Sequence, residues 1–258
     1  MLRFSLLTIS LLTTLTLTAC GDDAVVTSDP SATDTDSVST GNLILEASVI
    51  NNGSDTDTLW LNLYNRSGLD SDSALTLGDN DTLNLYVDGT PYTLSDSASE
   101  DSDSETSYLY SYTQTEAENE TVFYLKLSRN STYDDTSATV TLPAPFTFYI
   151  SRSSRQLDAD IEVIWDSVAY YSSIDINFSL TCTSFTDDTS VDLSATDNGF
   201  YSTSLSDVFT DVTTETDDEC QLTTTLTRNA SGQLEDEWNS DSTFTASQSR
   251  SITSAIEL

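Results

Sequence analysis

From Gly41 onward, apolar residues recur at every second position in short runs. This alternation is typical of strands that bury one face, because successive side chains of a strand point to opposite faces of the sheet. Segments rich in Asn, Asp, Gly and Ser separate the runs, as expected of turns. The predicted strands lie within 43–49, 59–63, 83–87, 123–127, 146–150, 161–165, 174–182, 220–226 and 244–256. The predicted turns lie at 51–57, 65–73, 78–81, 129–135, 197–199 and 229–232, and a short helix is allowed at 205–212.

Many short strands joined by polar turns predict an all-β fold built from antiparallel sheets. The 258-residue chain leaves room after residue 40 for two Ig-like β-sandwiches in tandem, since one such sandwich takes about 100 residues. Pro143 and Pro145 mark the boundary, because proline cannot donate to a central ladder. The prediction is a first sandwich over 41–142 and a second over 143–258. One large sandwich, with these prolines beside an edge strand, is the alternative that the pattern leaves open.

The first twenty residues form a separate pattern. An apolar stretch over 4–17 follows the cation Arg3 and is shorter than the ~20 apolar residues of a membrane-spanning helix. It ends in Leu17-Thr18-Ala19-Cys20, with a small residue ahead of the cysteine. This arrangement resembles the signal peptide and lipobox of bacterial lipoproteins. The resemblance implies that residues 1–19 are removed and that Cys20 carries the lipid that holds the protein on a membrane.

The same resemblance bears on location. In this family an Asp directly after the cysteine favours the inner membrane, and here that position is Gly21, so the outer membrane of the cell envelope is implied. The remainder of the chain resembles acidic envelope lipoproteins of Gram-negative bacteria, a class that shares the anchor and no common chemistry. Residues 20–40 are rich in Asp, Ser and Thr. Such a segment buries too little surface to offset its ordering entropy, so it is predicted to be a flexible tether.

The chain is strongly acidic, with 8 Lys and Arg residues against 43 Asp and Glu residues and a formal net charge of −35. Nucleic acid is excluded as a partner class, because phosphate binding needs clusters of Lys and Arg. Direct adsorption to anionic head groups is disfavoured for the same reason, so contact with the membrane is expected through the lipid. An acidic exported surface suits a saline medium, in which salt screens self-repulsion.

The chain contains no histidine. This absence excludes Ser-His-Asp and Cys-His catalysis, His-ligated zinc and the usual proton shuttle near neutral pH. Glycan hydrolysis by paired carboxylates needs one carboxyl in an apolar pocket. Glu162 and the cluster Glu235-Asp236-Glu237 are the candidates, but an outward strand position and an exposed loop explain them equally well. The prediction is that the protein is not an enzyme.

Two further cysteines, Cys182 and Cys220, lie in the second half of the chain. Each falls on the apolar face of an alternating run, so both sulfurs are expected to point inward, as in the inter-sheet bridge of a sandwich. Two thiols in an exported domain most often form one disulfide. The bridge would close a loop of about 40 residues and stabilise the fold by roughly 3–4 kcal/mol in the chain-entropy model.

Acidic loops offer candidate cation sites. Asp79 and Asp81 have D-x-D spacing, which can turn two carboxylates toward one hard cation such as Ca²⁺. Pairs with this spacing are also expected by chance in so acidic a chain, and a solvated turn explains the same residues. Calcium is the one candidate cofactor that the sequence offers.

Tyr108, Tyr110 and Tyr112 form an aromatic stripe on one face of a predicted strand, with Leu109 on the other face. Exposed tyrosines on a sheet can bind sugars or peptides. Equally, the stripe can belong to the core, with its hydroxyls at the rim. Both interpretations stay open from the sequence.

Three functional hypotheses follow. The first is a lipid-anchored envelope protein with a non-enzymatic role, either binding a protein or glycan partner or contributing to the envelope surface. The second is a Ca²⁺-dependent adhesion or carbohydrate-binding module. The third is a glycan-processing enzyme.

The charge also predicts that stability depends on salt. Like charges on a compact body repel one another most at low ionic strength, where screening is weakest. We expect the sandwich region to melt at a higher temperature in about 0.6 M salt than in about 20 mM salt, as thermal unfolding followed by circular dichroism would show. Equal melting temperatures would contradict this expectation.

Overall fold

The computed structural model describes residues 34–66, 75–96, 110–116, 119–129, 132–152, 156, 159–167, 173–182, 189–210 and 219–257. Its strands are β1 (Leu43–Asn51), β2 (Thr56–Asn65), β3 (Thr82–Val87), β4 (Thr90–Tyr92), β5 (Ser95–Asp96), β6 (Tyr110–Thr115), β7 (Thr121–Ser128), β8 (Thr136–Leu142), β9 (Phe148–Arg152), β10 (Asp160–Trp165), β11 (Ser173–Cys182), β12 (Thr189–Thr196), β13 (Phe200–Ser204), β14 (Glu219–Ser231), β15 (Gln233–Leu234) and β16 (Thr243–Glu257). Helix α1 (Leu205–Val208) and two 3-10 turns (Thr35–Ser37 and Thr40–Asn42) are the remaining named elements.

The strands form three sheets. The eight-stranded sheet has the order β12-β11-β14-β16-β1-β2-β6-β5, the five-stranded sheet β15-β8-β7-β3-β4, and the three-stranded sheet β13-β10-β9. The paired strands are antiparallel, apart from β1 and β16, which are parallel. The predicted all-β fold of antiparallel sandwiches is confirmed. The helix allowed at 205–212 is present as the single turn α1. Among the described elements, no helix is long and apolar enough to span a membrane.

Two hydrophobic cores lie between these sheets. The first core fills the space between the five-stranded sheet and the β1–β2 side of the eight-stranded sheet. The second core lies between the three-stranded sheet and the β11–β14 side. Alternate residues of the longer strands point into a core, as Leu43, Leu45 and Val49 of β1 do with no exposed surface. In these strands the period-two pattern of the sequence therefore decides which face is buried.

The two longest strands, β14 and β16, run through both halves of the molecule. They form one antiparallel ladder that takes in every residue of β14. One end of the ladder supplies Phe244 and Ala246 to the first core, and the other end supplies Leu222 and Ile256 to the second core. Because the ladder is continuous, the two cores share one sheet.

This ladder changes two details of the sequence-based picture. The pattern predicts a turn at 229–232, but residues 229–231 continue β14 because they pair with β16. The first core takes in Trp238 from well beyond the boundary predicted at residue 143, and β15 pairs with β8. Residues from late in the chain therefore complete the first sandwich. The boundary between two domains at residues 142 and 143 stays a prediction from the sequence.

The folded body begins before Gly41. Thr35, Val38 and Thr40 are buried, and the guanidinium of Arg129 donates to the carbonyl oxygens of Thr35 and Val38 at 2.6 and 2.8 Å. Residues 34–40 therefore differ from the predicted flexible tether, because Arg129, which lies 94 positions after Thr35, holds them against the first sandwich. Residues 1–33, including Cys20, lie outside the described residues.

The predicted disulfide joins Cys182 and Cys220. Both cysteines belong to the second core, as the alternation predicts. The bridge lies within one sheet rather than between two, because the cysteines are directly opposite each other on the neighbouring strands β11 and β14. It closes a loop with a sequence separation of 38 residues.

A buried ionic cluster lies where the two cores meet. Arg228 on β14 is 1% exposed, and its Nε donates to Asp197 Oδ2 at 2.8 Å. Asp197 Oδ1 also accepts from the indole nitrogen of Trp165 at 2.6 Å. The same guanidinium donates to the carbonyl oxygen of Asp166 and lies 4.5 Å from the ring centroid of Phe146. These contacts tie the long ladder to the end of β10 and to the chain after β12.

The cluster predicts a large effect of removing its carboxylate. Asp197→Ala would leave the Arg228 guanidinium buried without its counter-charge and the Trp165 N–H without its acceptor. We expect the free energy of unfolding to fall by about 3–5 kcal/mol, measured by urea denaturation of the purified protein. Asp236→Ala, which removes an exposed carboxylate, is the matched control and should change stability by less than about 0.5 kcal/mol. Equal effects of the two substitutions would contradict the role of the cluster.

Candidate binding surface

The predicted tyrosine stripe faces the first core where the structure describes it. Tyr108 lies outside the described residues. Tyr110 and Tyr112 on β6 are half-buried and pack against the first core. They point inward because they lie opposite Leu61 and Leu59 of β2, which are fully buried. For these two residues the geometry favours the core interpretation over an exposed binding stripe.

Tyr112 closes one edge of the first sandwich together with Tyr92 of β4. The two ring centroids are 4.9 Å apart, with an interplanar angle of 54°. The Tyr112 hydroxyl donates to Gln114 Oε1 at 3.2 Å, and Gln114 donates in turn to Asp57 at 3.0 Å. Burial, with smaller contributions from Tyr92 and Asp57, raises the pKa of Tyr112 to about 12. The raised pKa keeps the Tyr112 hydroxyl protonated, and so able to donate to Gln114, at alkaline pH values where an ordinary tyrosine ionises.

The predicted calcium loop has a different arrangement. Asp79 is exposed, whereas Asp81 is buried and its Oδ2 lies 2.8 Å from Arg129 Nε. The hydroxyl of Thr35 also donates to Asp81 Oδ2 at 2.7 Å. Calcium binding at Asp81 would remove the counter-charge of a buried guanidinium, and breaking such a pair costs about 3–5 kcal/mol. The structure thus gives Asp81 the role of holding Arg129 and the segment before β1.

In the part of the chain that the structure describes, the other acidic groups do not assemble into a metal centre. No group of three or more His, Cys, Asp or Glu residues that could hold a metal occurs in the described part of the chain. Glu162 is exposed on β10, and residues 235–237 are exposed around a cavity of about 450 Å³ that Asp135 also lines. An acid catalyst of glycan hydrolysis is held in an apolar pocket, which these exposed positions do not provide.

The most exposed aromatic side chains of the described residues lie on the outer face of the three-stranded sheet. Tyr149 on β9 is 58% exposed, and Phe200 on β13 is 48% exposed. Ile164 on the central strand β10 pairs with both of them. Because directly paired residues share a face, Tyr149, Ile164 and Phe200 form a line across the sheet, which we call the apolar row.

The sequence contains a signal for the apolar row, namely large apolar residues on the outward phase of a strand, but alternation alone does not show what the signal means. Phe148 and Ile150 on β9 pack against the second core, so Tyr149 falls on the outward phase. Likewise Ile161 and Val163 on β10 are fully buried, and Ile164 is on the opposite phase. Large apolar residues on the phase normally left to polar side chains mark an exposed apolar patch, which is typical of an interaction site.

Carboxylates flank the apolar row along β10. Asp160 and Glu162 precede Ile164 at alternate positions, Asp166 follows it, and all three acidic residues are exposed. The hydroxyl of Thr147 donates to Asp166 Oδ2 at 3.0 Å. Alternate residues of a strand are about 7 Å apart, so the row has negative charge close on both sides along the strand direction.

The protein has few cations to balance this charge. Arg152 donates to the carbonyl oxygen of Ala255 at 3.0 Å, and every other Lys or Arg of the described residues forms an ion pair with a carboxylate. These pairs are Arg66–Asp241, Lys126–Asp135, Arg129–Asp81, Arg228–Asp197 and Arg250–Glu116. The many other carboxylates therefore produce a negative surface potential.

Comparisons with known proteins give remote structural likenesses. No protein-family model matches the chain, and no curated protein matches it. Similar solved structures include a cytokine receptor complex, at 10% identity, with 82% of this chain and 96% of that chain covered and a TM-score of 0.32. The FN1–FN3 domains of chicken CNTN1 are 9% identical, with coverage of 86% and 69% and a TM-score of 0.31. The chicken interferon gamma receptor alpha chain is 10% identical, with coverage of 84% and 96% and a TM-score of 0.24. Likenesses at this level assign neither a family nor a function.

Proposed function

We propose that this chain is a lipid-anchored protein of the bacterial cell envelope that binds a partner without catalysing a reaction. The apolar row on the outer face of the three-stranded sheet carries the binding part of this proposal. Two aromatic side chains, half exposed on the two outer strands of one sheet, stay in water at a cost in free energy, which a partner would remove by covering them.

The anchor part of the proposal rests on the sequence Leu17-Thr18-Ala19-Cys20 behind an apolar stretch. Cys20 supplies the thiol that takes the lipid, and Gly21 after it favours the outer membrane. Residues between Cys20 and the folded body would then set the distance between the lipid and the sandwiches.

The non-enzymatic part rests on side-chain chemistry. The chain lacks histidine, which removes the commonest general base. Of the acids that were candidates for metal or glycan chemistry, Asp81 is paired with a buried guanidinium and Glu162 is exposed on a sheet face. The exposed sheet face suits recognition better than chemistry, since it does not exclude water from a reacting group.

The anchor can be tested by metabolic labelling. We expect cells grown with radiolabelled palmitate to label the wild-type protein and the Thr18→Ser variant, because both keep the thiol. Cys20→Ser should lose the label and leave the membrane fraction. A wild-type protein that takes up no label, or that is found in the cytosol, would refute the anchor.

The binding surface can be tested by site-specific photo-crosslinking in intact cells. We expect a photoreactive residue at position 149 to give a discrete adduct, because it replaces an exposed member of the apolar row. The matched control is position 122, since Val122 is 40% exposed but lies on the five-stranded sheet. Phe200→Ser should abolish the adduct from position 149 while leaving the melting temperature unchanged. Identical adducts from positions 149 and 122, or an adduct that survives Phe200→Ser, would contradict a partner at this face.

A further inference from the structure

The outer face of the three-stranded sheet also indicates the chemistry of the partner, an inference that rests on the proposed function. We infer that the partner is a basic polypeptide segment, with an apolar side chain that packs on the apolar row and Lys or Arg side chains that reach the flanking carboxylates. Three observations carry this inference: the exposure of the row, the position of the acidic residues around it, and the engagement of the cations among the described residues elsewhere.

The spacing along β10 fits an extended partner. Asp160, Glu162, Ile164 and Asp166 follow one another on the outward phase of the strand and its continuation. Alternate residues are about 7 Å apart in a strand. A partner segment that presents an apolar side chain between cationic side chains at a similar spacing would therefore meet Ile164 and the two nearest carboxylates together.

Charge complementarity favours a basic polypeptide segment over the other molecules that could cover the apolar row. A second copy of the chain would bring its own Asp160, Glu162 and Asp166 against the same three residues, and like charges across an interface are unfavourable. Anionic lipid head groups and nucleic acids are repelled for the same reason. Arg152, the nearest cation along β9, already donates to the carbonyl oxygen of Ala255 on β16. A cationic partner is the one that the field around the row attracts.

The apolar row and the carboxylates around it would contribute differently to binding. Aromatic side chains at the centre of an interface carry most of the binding energy. Exposed carboxylates at its rim mainly speed association and favour partners of opposite charge, and their effect weakens with salt. Binding should therefore depend strongly on Tyr149 and Phe200 and more modestly on Glu162 and Asp166.

The test uses synthetic peptides and the soluble protein with its disulfide intact. In the first peptide, lysine and leucine take turns at every second position with serine between them, so that both share one face of an extended chain. A second, lysine–serine peptide has serine in place of leucine, and a third, glutamate–leucine peptide has glutamate in place of lysine. Fluorescence anisotropy gives the dissociation constant of each peptide at about 50 mM and about 500 mM salt. The neutral oligosaccharide cellohexaose serves as a competitor, because aromatic rows on sheets also bind sugars.

We expect the lysine–leucine peptide to bind most tightly and to weaken at high salt. Tyr149→Ser combined with Phe200→Ser should weaken its binding about 10-fold or more. Glu162→Gln combined with Asp166→Asn should weaken it about 3- to 10-fold. The matched control, Glu235→Gln combined with Asp236→Asn, removes the same charge from a distant exposed loop and should change binding less than about 2-fold. All these positions are exposed, so unchanged melting temperatures should confirm that the variants fold.

The other outcomes overturn the inference in distinguishable ways. Equal losses for the two charge variants would show diffuse attraction to an acidic protein, and equal binding of the lysine–serine peptide would show that the apolar row is not the anchor. No binding of the lysine–leucine peptide would also refute the inference. Tight binding of the glutamate–leucine peptide, competition by cellohexaose, or self-association abolished by Phe200→Ser would refute the cationic partner but retain a binding role for the face. Loss of crosslinking specificity at position 149 would refute the proposed function itself.

Discussion

The ladder between β14 and β16 is the constraint on which the rest of the structure depends. It is the one pair of strands long enough, among those described, to enter both cores. Gly232 ends the ladder where the chain turns toward β15, and a Cβ there would lie 2.6 Å from the carbonyl oxygen of Thr139 and 2.8 Å from that of Phe244. A side chain would therefore push β8 away from the ladder. Because the backbone hydrogen bonds of the ladder fix its register, they also fix how the five-stranded and three-stranded sheets are placed on the shared sheet.

The few cations of this acidic protein are not all at its surface, because two of them are buried in ion pairs. Arg129 and Arg228 are buried, each against one carboxylate, Asp81 and Asp197. Both pairs join segments that are distant in sequence: the first holds the residues before β1, and the second joins β14 to the chain after β12. Burying an ion pair is a weak source of net stability but a strong constraint on which groups must meet, because either charge alone is costly. The consequence for the surface is that few cations remain there to offset its carboxylates.

On this acidic surface, the outer face of the three-stranded sheet is chemically distinct from the mostly polar outward positions of the other sheets. Most outward positions of the sheets carry Ser, Thr, Asn or Asp, as in the hydroxyl pairs Thr223–Thr253 and Thr225–Ser251 between β14 and β16. The apolar row interrupts this polar covering with two exposed aromatic rings. An apolar centre with an acidic margin combines a site for tight packing with a field that selects charge, and these are the two components of specific recognition.

The candidate sites show why side-chain chemistry read from sequence was only partly informative. Tyr110 and Tyr112 share a strand face, which the alternation predicts, but whether that face meets a core depends on β2 and β4. Asp81 belongs to a turn with the spacing of a cation site, yet its partner Arg129 lies 48 residues further along the chain. Tyr149 and Phe200 are aligned only because β10 lies between their strands. In each case the deciding neighbour is remote in sequence, so local spacing could not identify it.

The strands β8, β12 and β13 were not among those predicted from the sequence. Alternation and composition did predict most of the other long strands, their inward faces, the inward direction of Cys182 and Cys220, and the acidic character of the surface. These are properties of period-two alternation and of composition, which need no knowledge of neighbours. The tertiary structure decided that Ser242 lies beside Leu45, whose amide donates to its hydroxyl across 197 positions, and that the disulfide stays within one sheet. Alternation specifies which face of a strand avoids water, whereas the identity of the adjacent strand depends on backbone hydrogen bonds that any residue can make.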